Sequence, residues 1–423
     1  MYPARILTAV AAASLVSAAA FATPPPVNIH PELRAIAGAV KASNLHATDM
    51  ALVGFGTRHT LSTTTSKTRG IGAARNWVAA QFETISEGCS GCLEVVKPSQ
   101  VFTGERMPKA GAEVMDVVAI QRGTTDPNRV IVITAHLDSR RSDVMDATGD
   151  SPGANDDAAG VAALIETARV LSHYKFPATL VYSADSGEEQ GLFGGKIIAQ
   201  YAVDHGWNIE ANLNNDMVGN DHGGNGAHDP HTIRVFSEGT KSNETLEQAA
   251  YRRYHGGGVD SPSRNIARYM HTLAEQYLDD FHVRMVYRTD RWGRSGDQVP
   301  FLEQGFPAVR LSESNENYDH QHQNVRVENG VHYGDVISGV DFDYLANVTR
   351  LDAITTLDAD QLGDPPDRVV LDVVKLAIGI DDLPHQADEG LARLRVEVAL
   401  EHAGEGVEVD RLIVGALAGR GQR

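Results

Sequence analysis

The chain has 423 residues, an apolar content of 42% and a formal net charge of −19. Its length suits one large catalytic domain or two smaller ones, and its apolar content allows a sizeable core. The acidic balance argues against a nucleic-acid partner, because such a partner would need a basic face.

The amino terminus has the layout of a secretory signal peptide. Arg5 precedes an apolar stretch rich in Ala, Leu and Val that ends at Ala20-Phe21-Ala22, an A-x-A cleavage pattern. A buried helix or a membrane anchor is the alternative, but the uncharged run is short and ends in small residues and prolines. Residues 1–22 are therefore predicted to be a signal peptide. We expect the mature chain to start near Thr23 as an exported protein, periplasmic or secreted, with no membrane association after cleavage.

Strand and helix patterns alternate along most of the mature chain. Residues 23–45 are typical of a linker and a lead-in helix. Helices are predicted over 70–85, 156–174, 191–205, 240–253, 264–280 and 341–357, and strands over 114–123, 129–139, 178–185, 212–219 and 306–314. This alternation predicts an α/β fold with a largely parallel sheet.

Two further segments have their own interpretations. In an exported protein, Cys89 and Cys92 of "GCSGC" favour a small structural disulfide. A redox motif would need a thioredoxin-like context, and a zinc knuckle would need a second pair of ligands. Residues 361–423 change character: they begin like a strand and then lose any clear turn pattern. They are predicted to be a truncated β-rich module or a disordered tail, without a function.

Five polar motifs follow the ends of predicted strands: "TAHLDS", "GANDDAAG", "SGEEQGL", "NNDMVGN" and "NYDHQHQ". Each alone has an ordinary explanation, such as a helix N-cap or a solvated helix start. In one sheet, however, ligands bind beyond the carboxyl ends of the strands. A His, an Asp, a Glu, an Asp and a His suit zinc, and five ligands fit two ions that share a bridging carboxylate.

These motifs, in this order, resemble the M28 family of zinc aminopeptidases, from about Ala51 to about Leu357. The resemblance implies a three-layer αβα sandwich with a central, mostly parallel mixed sheet, formed by residues 46–360. It also implies a co-catalytic pair of zinc ions and a peptide substrate with a free N-terminus. The sequence leaves the oligomeric state open.

The resemblance assigns most of the metal ligands. His136 matches a terminal ligand of one zinc ion, with Asp216 beside it. Asp156 matches the carboxylate that bridges both ions, and the family tends to have a cis peptide bond after it, here to Asp157. Asp138 matches the acid that orients His136 through its other ring nitrogen.

The remaining assignments concern the second zinc ion and the base. Glu189 matches a ligand of that ion, and Glu188 matches the general base that moves a proton from water to the leaving amine. The final ligand is His322 or His320. These two histidines would share a face on an extended strand, and His322 aligns better with the downstream sequence.

The segment 292–309 departs from the family pattern. Many relatives have Ser-Asp-His where this chain has Gly296-Asp297-Gln298. Asp297 is expected to support either the site or the substrate-binding wall, and Gln298 leaves no histidine to act there.

Three alternative functions stay open on the sequence. A glutaminyl cyclase would work with a single zinc ion, and the presence of ligands for two ions argues against this alternative. A carboxypeptidase or dipeptidase would grip a substrate carboxylate with basic residues, and Arg140, Arg141, Arg291 and Arg294 lie near the motifs. A non-catalytic binding domain on the same fold would lose ligands or the base, which this chain keeps.

Overall fold

The computed structural model describes residues 30–240 and 244–357. Helices in these residues are α1 Pro31–Ala39, α2 Ala42–Val53, α3 Gly70–Gly88, α4 Ala159–Leu171, α5 Glu188–Gly191, α6 Phe193–Asp204, α7 Leu246–His255, α8 Pro262–Tyr277, α9 Gln298–Gln304 and α10 Phe342–Thr355. Strands are β1 Leu93–Val96, β2 Ser99–Phe102, β3 Ala112–Met115, β4 Val117–Gln121, β5 Asp126–His136, β6 Ala178–Asp185, β7 Asn208–Asn215, β8 Thr232–Ser237, β9 His282–Val286, β10 Ala308–Glu313, β11 Arg326–Glu328 and β12 Val331–Tyr333. The predicted signal peptide and the predicted tail lie outside the described residues. Among the described helices, none combines the length and the apolar character needed to cross a membrane.

Eight strands form one mixed sheet in the order β1-β4-β6-β5-β7-β10-β8-β9. The four central strands, from β6 to β10 in that order, run parallel, so their carboxyl ends meet at one edge. Antiparallel pairs join β1 to β4, β4 to β6, and β8 to β10, while β9 runs parallel to β8. The predicted α/β class with a central mixed sheet is confirmed.

The central strands are covered by helices on both faces. In β5, Ile131, Ile133 and Ala135 belong to a core that includes residues of α1, α2, α3, α4, α8 and α10. The alternate residues Val130 and Val132 belong to a second core with α6 and α9. A strand buried on both faces needs a nearly continuous apolar run, and "RVIVITA" supplies it. The result is a three-layer αβα sandwich.

The prediction of one strand over 114–123 is wrong, because Asp116 divides it. The buried Asp116 carboxylate accepts a hydrogen bond of 2.8 Å from the amide of Ser186. On one side of it β3 pairs with β2 in a hairpin, and on the other β4 enters the main sheet. Strands β8 and β9 and helix α9 were not predicted, and each spans only five to seven residues.

The predicted helix over 156–174 begins three residues later than expected, at Ala159. Asp156 and Asp157 lie in a π turn over Ala154–Ala158 and have non-helical φ angles of −117° and −136°. The peptide bond between them is cis, as the resemblance implies. Near the amino terminus, α2 crosses residue 45, where the predicted lead-in segment ends.

Cys89 and Cys92 form a disulfide, with sulfur atoms 2.05 Å apart. The bridge closes the loop between α3 and β1. This agrees with the interpretation of the pair as a small structural bridge.

Asp352 on α10 is expected to make stability depend on pH. Burial raises the pKa of this carboxyl from 3.8 to about 8. Asn215 donates a hydrogen bond of 2.8 Å to Oδ2, whereas Oδ1 has no partner within the described residues. The pKa of this carboxyl is higher in the folded chain than in the unfolded chain. Its contribution to the free energy of unfolding is therefore fully present below pH ~4 and is lost as the pH rises toward ~8.

We therefore predict that Asp352→Asn matches the parent chain in stability near pH 4 and exceeds it above pH 8 by up to about 6 kcal/mol, the equivalent of a pKa shift from 3.8 to about 8. Urea unfolding at both pH values measures the difference. Asp204→Asn, at an exposed position, is the control and should change little at either pH. An equal gain at both pH values would contradict the raised pKa.

Candidate metal centre

Most of the predicted site residues converge at the carboxyl edge of the parallel strands. His136 is the last residue of β5, Asp216 directly follows β7, and Glu188 and Glu189 open α5 after β6. Asp156 lies in the π turn that precedes α4. Because β6, β5 and β7 are adjacent and parallel, their ends bring these side chains to one place.

Two groups of donor atoms share Asp156. His136 Nε2 lies 3.0 Å from Asp156 Oδ1 and 3.9 Å from Asp216 Oδ1. His322 Nε2 lies 3.0 Å from Asp156 Oδ2 and 3.0 Å from Glu189 Oε1. In each group the donor atoms all lie within 4.8 Å of one another. One carboxylate therefore presents one oxygen to each group.

The chemistry of these atoms fits bound cations. His136 Nε2 and Glu189 Oε1 are buried and have no hydrogen-bond partner within the described residues. A buried polar atom without a partner costs about 1–3 kcal/mol, and a cation between the donors of each group would remove that cost. Imidazole nitrogen with carboxylate oxygen is a donor set that zinc accepts.

The charges of the metal-free chain already favour ionised ligands. Burial alone would raise the pKa of Asp156, but the imidazoles of His136 and His322, whose Nε2 atoms each lie 3.0 Å from one of its oxygens, hold this pKa well below 3.8. Burial also opposes the charged form of His322, yet the nearby carboxylates of Glu189 and Asp156 raise its pKa to about 9. Asp156 is thus held as an anion between two imidazoles.

Asp138 contacts the ring of His136, but mainly through its backbone. His136 Nδ1 lies 3.0 Å from the carbonyl oxygen of Asp138 and 3.7 Å from its carboxylate Oδ1. The orienting hydrogen bond implied by the resemblance is therefore made by the backbone carbonyl.

The Asp138 carboxylate instead holds the turn that carries the two glutamates. It accepts a hydrogen bond of 2.8 Å from the hydroxyl of Thr60. It also accepts hydrogen bonds from the amides of Gly187 (2.9 Å), Glu188 (3.2 Å) and Glu189 (3.3 Å). One buried side chain therefore fixes the direction of both glutamates.

Glu188 lines the cavity above the donor groups but belongs to neither of them. Its side chain is half-buried. Burial and the neighbouring carboxylates, chiefly Asp216 and Glu189, raise its pKa well above 4.5 in the metal-free chain. A carboxyl that lines the cavity and belongs to neither donor group is placed where a general base would act.

His322 lies against the donors, and His320 does not. The expectation that both share a face of an extended strand is wrong, because residues 318–322 form turns and His322 has a left-handed φ of 56°. The ring of His320 lies beside Gly339, outside both donor groups.

Within the segment that departs from the family pattern, Asp297 and Gln298 lie behind the cavity wall. Asp297 accepts a hydrogen bond of 3.2 Å from the amide of Gly195, and Gln298 donates one of 3.1 Å to the carbonyl of Thr289. Neither residue lines the cavity. Of the two expected roles for Asp297, the structure favours support over a place in the substrate-binding wall.

Two residues that the sequence did not reveal hold the ligands in place. Arg310, fully buried on β10, has Nη2 2.8 Å from Asp216 Oδ1 and Nη1 2.7 Å from Asp290 Oδ2. An arginine inside the apolar strand "FPAVRLSES" was a visible signal of such a role. Asp335 accepts a hydrogen bond of 2.7 Å from the amide of Asp156, a contact across 179 residues that no local pattern announces.

A cavity of about 440 Å³ opens onto both donor groups. Its wall contains the following residues: Arg106, Arg140, Asp156, Glu188, Glu189, Gly191, Leu192, Asp216, Arg291, Gly293, Arg294, Ser295, Gln321 and His322. Gln321 also donates a hydrogen bond of 3.2 Å to Asp156 Oδ2.

Comparisons with known proteins agree with this geometry. The model of Peptidase family M28 matches residues 116–329. A probable zinc metalloprotease of Leptosphaeria maculans is 43% identical over 346 residues, which cover 82% of this chain and 80% of that protein. Two Legionella pneumophila structures share the fold at 19% identity: LapB, with a TM-score of 0.55 over 78% of this chain and 75% of that one, and the LapA aminopeptidase, with 0.53 over 77% and 73%.

Asp138→Asn is predicted to reduce both zinc retention and peptide hydrolysis by about 10- to 100-fold, as expected when a residue that supports metal ligands is lost. The amide cannot accept hydrogen bonds from three backbone N–H groups and a hydroxyl as the carboxylate does, so α5 and its glutamates shift. Zinc content after dialysis and the hydrolysis rate report the effect. The exposed Asp279→Asn is the control, and unchanged zinc retention in Asp138→Asn would refute this role.

Proposed function

Because this chain belongs to peptidase family M28 and is a zinc metallopeptidase, we propose that it removes amino acids from the free N-terminus of peptides with two zinc ions. The observation that carries the proposal is Asp156, whose two oxygens each lie 3.0 Å from a different histidine. A single-ion site would need only one of these groups. When bound, such a pair of ions polarises the scissile carbonyl and lowers the pKa of a water molecule toward ~7.

The residues of the chain divide into two ligand sets. His136 and Asp216 would hold one ion, His322 and Glu189 the other, and Asp156 would bridge them. Asp138 and Arg310 act on these ligands from behind, through α5 and through Asp216. They are positioning residues, since neither lines the cavity.

Glu188 is proposed as the general base. Its carboxylate faces the same cavity, and its neighbour in the chain is a ligand, so its direction is fixed relative to the reacting atoms. It would take the proton of the attacking water onto Oε and then deliver it to the nitrogen of the leaving amine.

The size of the cavity supports action at a chain end. A volume of about 440 Å³ lies in the range of pockets for small ligands. It suits one or two residues of a peptide better than the middle of a long extended segment. The shared fold of the LapA aminopeptidase is consistent with this preference.

Export is part of the same proposal. It rests on residues 1–22, whose basic start, apolar stretch and A-x-A end are typical of a cleaved signal. The protein would act in the periplasm or outside the cell.

Glu188→Gln is predicted to keep two zinc ions per chain and to lose about 10²- to 10⁴-fold in kcat, the usual contribution of a general base. The amide has nearly the same shape but cannot take up the proton. Elemental analysis and steady-state kinetics on an unblocked peptide measure the two effects, with the exposed Glu87→Gln as control. Normal turnover in Glu188→Gln would refute the base assignment.

The free N-terminus and the metals can be tested together. An unblocked peptide should be shortened from its N-terminus, whereas its N-acetylated form should resist, and chelation should abolish the cleavage until zinc is restored. Asp156→Ala should lose both ions, because its carboxylate belongs to both groups. Equal cleavage of the acetylated peptide would refute the aminopeptidase function, and full activity after complete chelation would refute the zinc dependence of the cleavage.

A further inference from the structure

The wall of the cavity contains more guanidinium groups than are neutralised by ion pairs with carboxylates of the described residues. Four arginines line it: Arg106, Arg140, Arg291 and Arg294. Leu192 is the one large apolar side chain among the lining residues. A cavity that selects apolar side chains would be lined mostly by hydrophobic and aromatic groups, and this one is not.

Arg291 is neutralised within the protein. Its Nε lies 3.1 Å from Asp290 Oδ1, and its Nη1 lies 2.6 Å from Glu316 Oε2. These contacts hold it as part of the structural network around Arg310, so its charge is not available to a ligand.

The other three arginines are only partly engaged. Arg106 Nη1 donates a hydrogen bond of 3.0 Å to the carbonyl of Glu189 and makes no ion pair within the described residues. Arg140 Nη1 lies 3.8 Å from Glu189 Oε2, while its Nε and Nη2 donate hydrogen bonds of 3.1 and 3.5 Å to the carbonyls of Arg141 and Ser142. The guanidinium of Arg294 has neither an ion pair nor a hydrogen bond within the part of the chain that is described.

We propose that Arg106, Arg140 and Arg294 select a substrate carboxylate, so that the enzyme prefers peptides with an anionic group next to the scissile bond. This inference rests on the proposed function, because it concerns the same cavity. The carboxylate has two possible sources: the side chain of an N-terminal Asp or Glu, or the terminal carboxylate of a dipeptide.

A guanidinium and a carboxylate are matched in both charge and hydrogen-bonding geometry. A guanidinium presents two parallel N–H groups to a carboxylate, and such charge-assisted pairs are roughly twice as strong as neutral hydrogen bonds. A neutral substrate would cover the arginines, remove water from them and offer no anion in return. A carboxylate would satisfy them.

The experiment compares isosteric substrates that differ by one charge. Glu-Ala-amide is paired with Gln-Ala-amide for the side-chain source, and Ala-Ala is paired with Ala-Ala-amide for the terminal source. We expect the anionic member of at least one pair to have a kcat/KM higher by about tenfold or more, as for a hydrogen bond to a charged group. The pair that responds identifies the source.

Two variants assign the effect to the arginines. Arg106→Gln combined with Arg294→Gln should bring the ratio within the responding pair close to one, because kcat/KM for the anionic member falls by about tenfold or more. Arg288→Gln is the matched control, because Arg288 is exposed, lies in the same segment as Arg294 and does not line the cavity. Arg140 is left unchanged because its guanidinium lies beside the carboxylate of the proposed ligand Glu189, whereas Arg106 contacts only the backbone carbonyl of that residue.

The outcomes separate this inference from the proposed function. Equal cleavage of charged and neutral members would overturn the selection of a carboxylate while leaving the aminopeptidase function intact. A preference that persists in the double variant would overturn the assignment to these arginines. If no peptide is cleaved, the proposed function fails, and calorimetric binding of the same two pairs to zinc-loaded Glu188→Gln still decides whether a carboxylate is preferred.

Discussion

The central constraint in this molecule is the repulsion between carboxylates gathered at one edge of a sheet. Asp156, Glu188, Glu189 and Asp216 all line one cavity. Two unit charges 4 Å apart repel by about 4 kcal/mol at the effective dielectric constant of a protein surface. A site of this kind folds only if each negative charge has a positive or a hydrogen-bonding partner, and much of the surrounding structure supplies one.

The partners of these carboxylates are of three kinds: histidine and arginine side chains, backbone amides, and zinc. His136 and His322 face the two oxygens of Asp156, and Arg310 reaches Asp216 from the neighbouring strand. Backbone amides hold the carboxylates of Asp138 and Asp335, which lie behind the ligands. Bound zinc would supply the remaining charge. The acids of the two donor groups and the acids that orient them are therefore stabilised by different means.

The sequence predicted the parts of this arrangement that local patterns encode. Helical spacing and apolar runs located α3, α4, β5 and β6, and the polar motifs after the strands located the ligands, because parallel strands must end at the same edge. It missed contacts between distant segments. Asp335 and Arg310 act through tertiary geometry, and Asp116 ends a strand because its carboxylate is needed by an amide on another loop. The extended strand expected at His320 and His322 was wrong for a related reason: residues 318–322 form turns, and His322 contacts Asp156 and Glu189 from that turn.

The three partly engaged arginines differ from the ligands in where the chain carries them. Of the proposed ligands, His136, Glu189 and Asp216 sit at or just beyond the ends of core strands, whereas Arg106 lies in the loop between β2 and β3, Arg140 in the loop after β5, and Arg294 in the loop after β9. Loops tolerate substitution and insertion far better than buried strand ends do. The chemistry of bond cleavage and the choice of substrate are thus encoded in separable segments. Substitutions in these three loops can therefore change the substrate preference without disturbing the residues proposed to bind zinc.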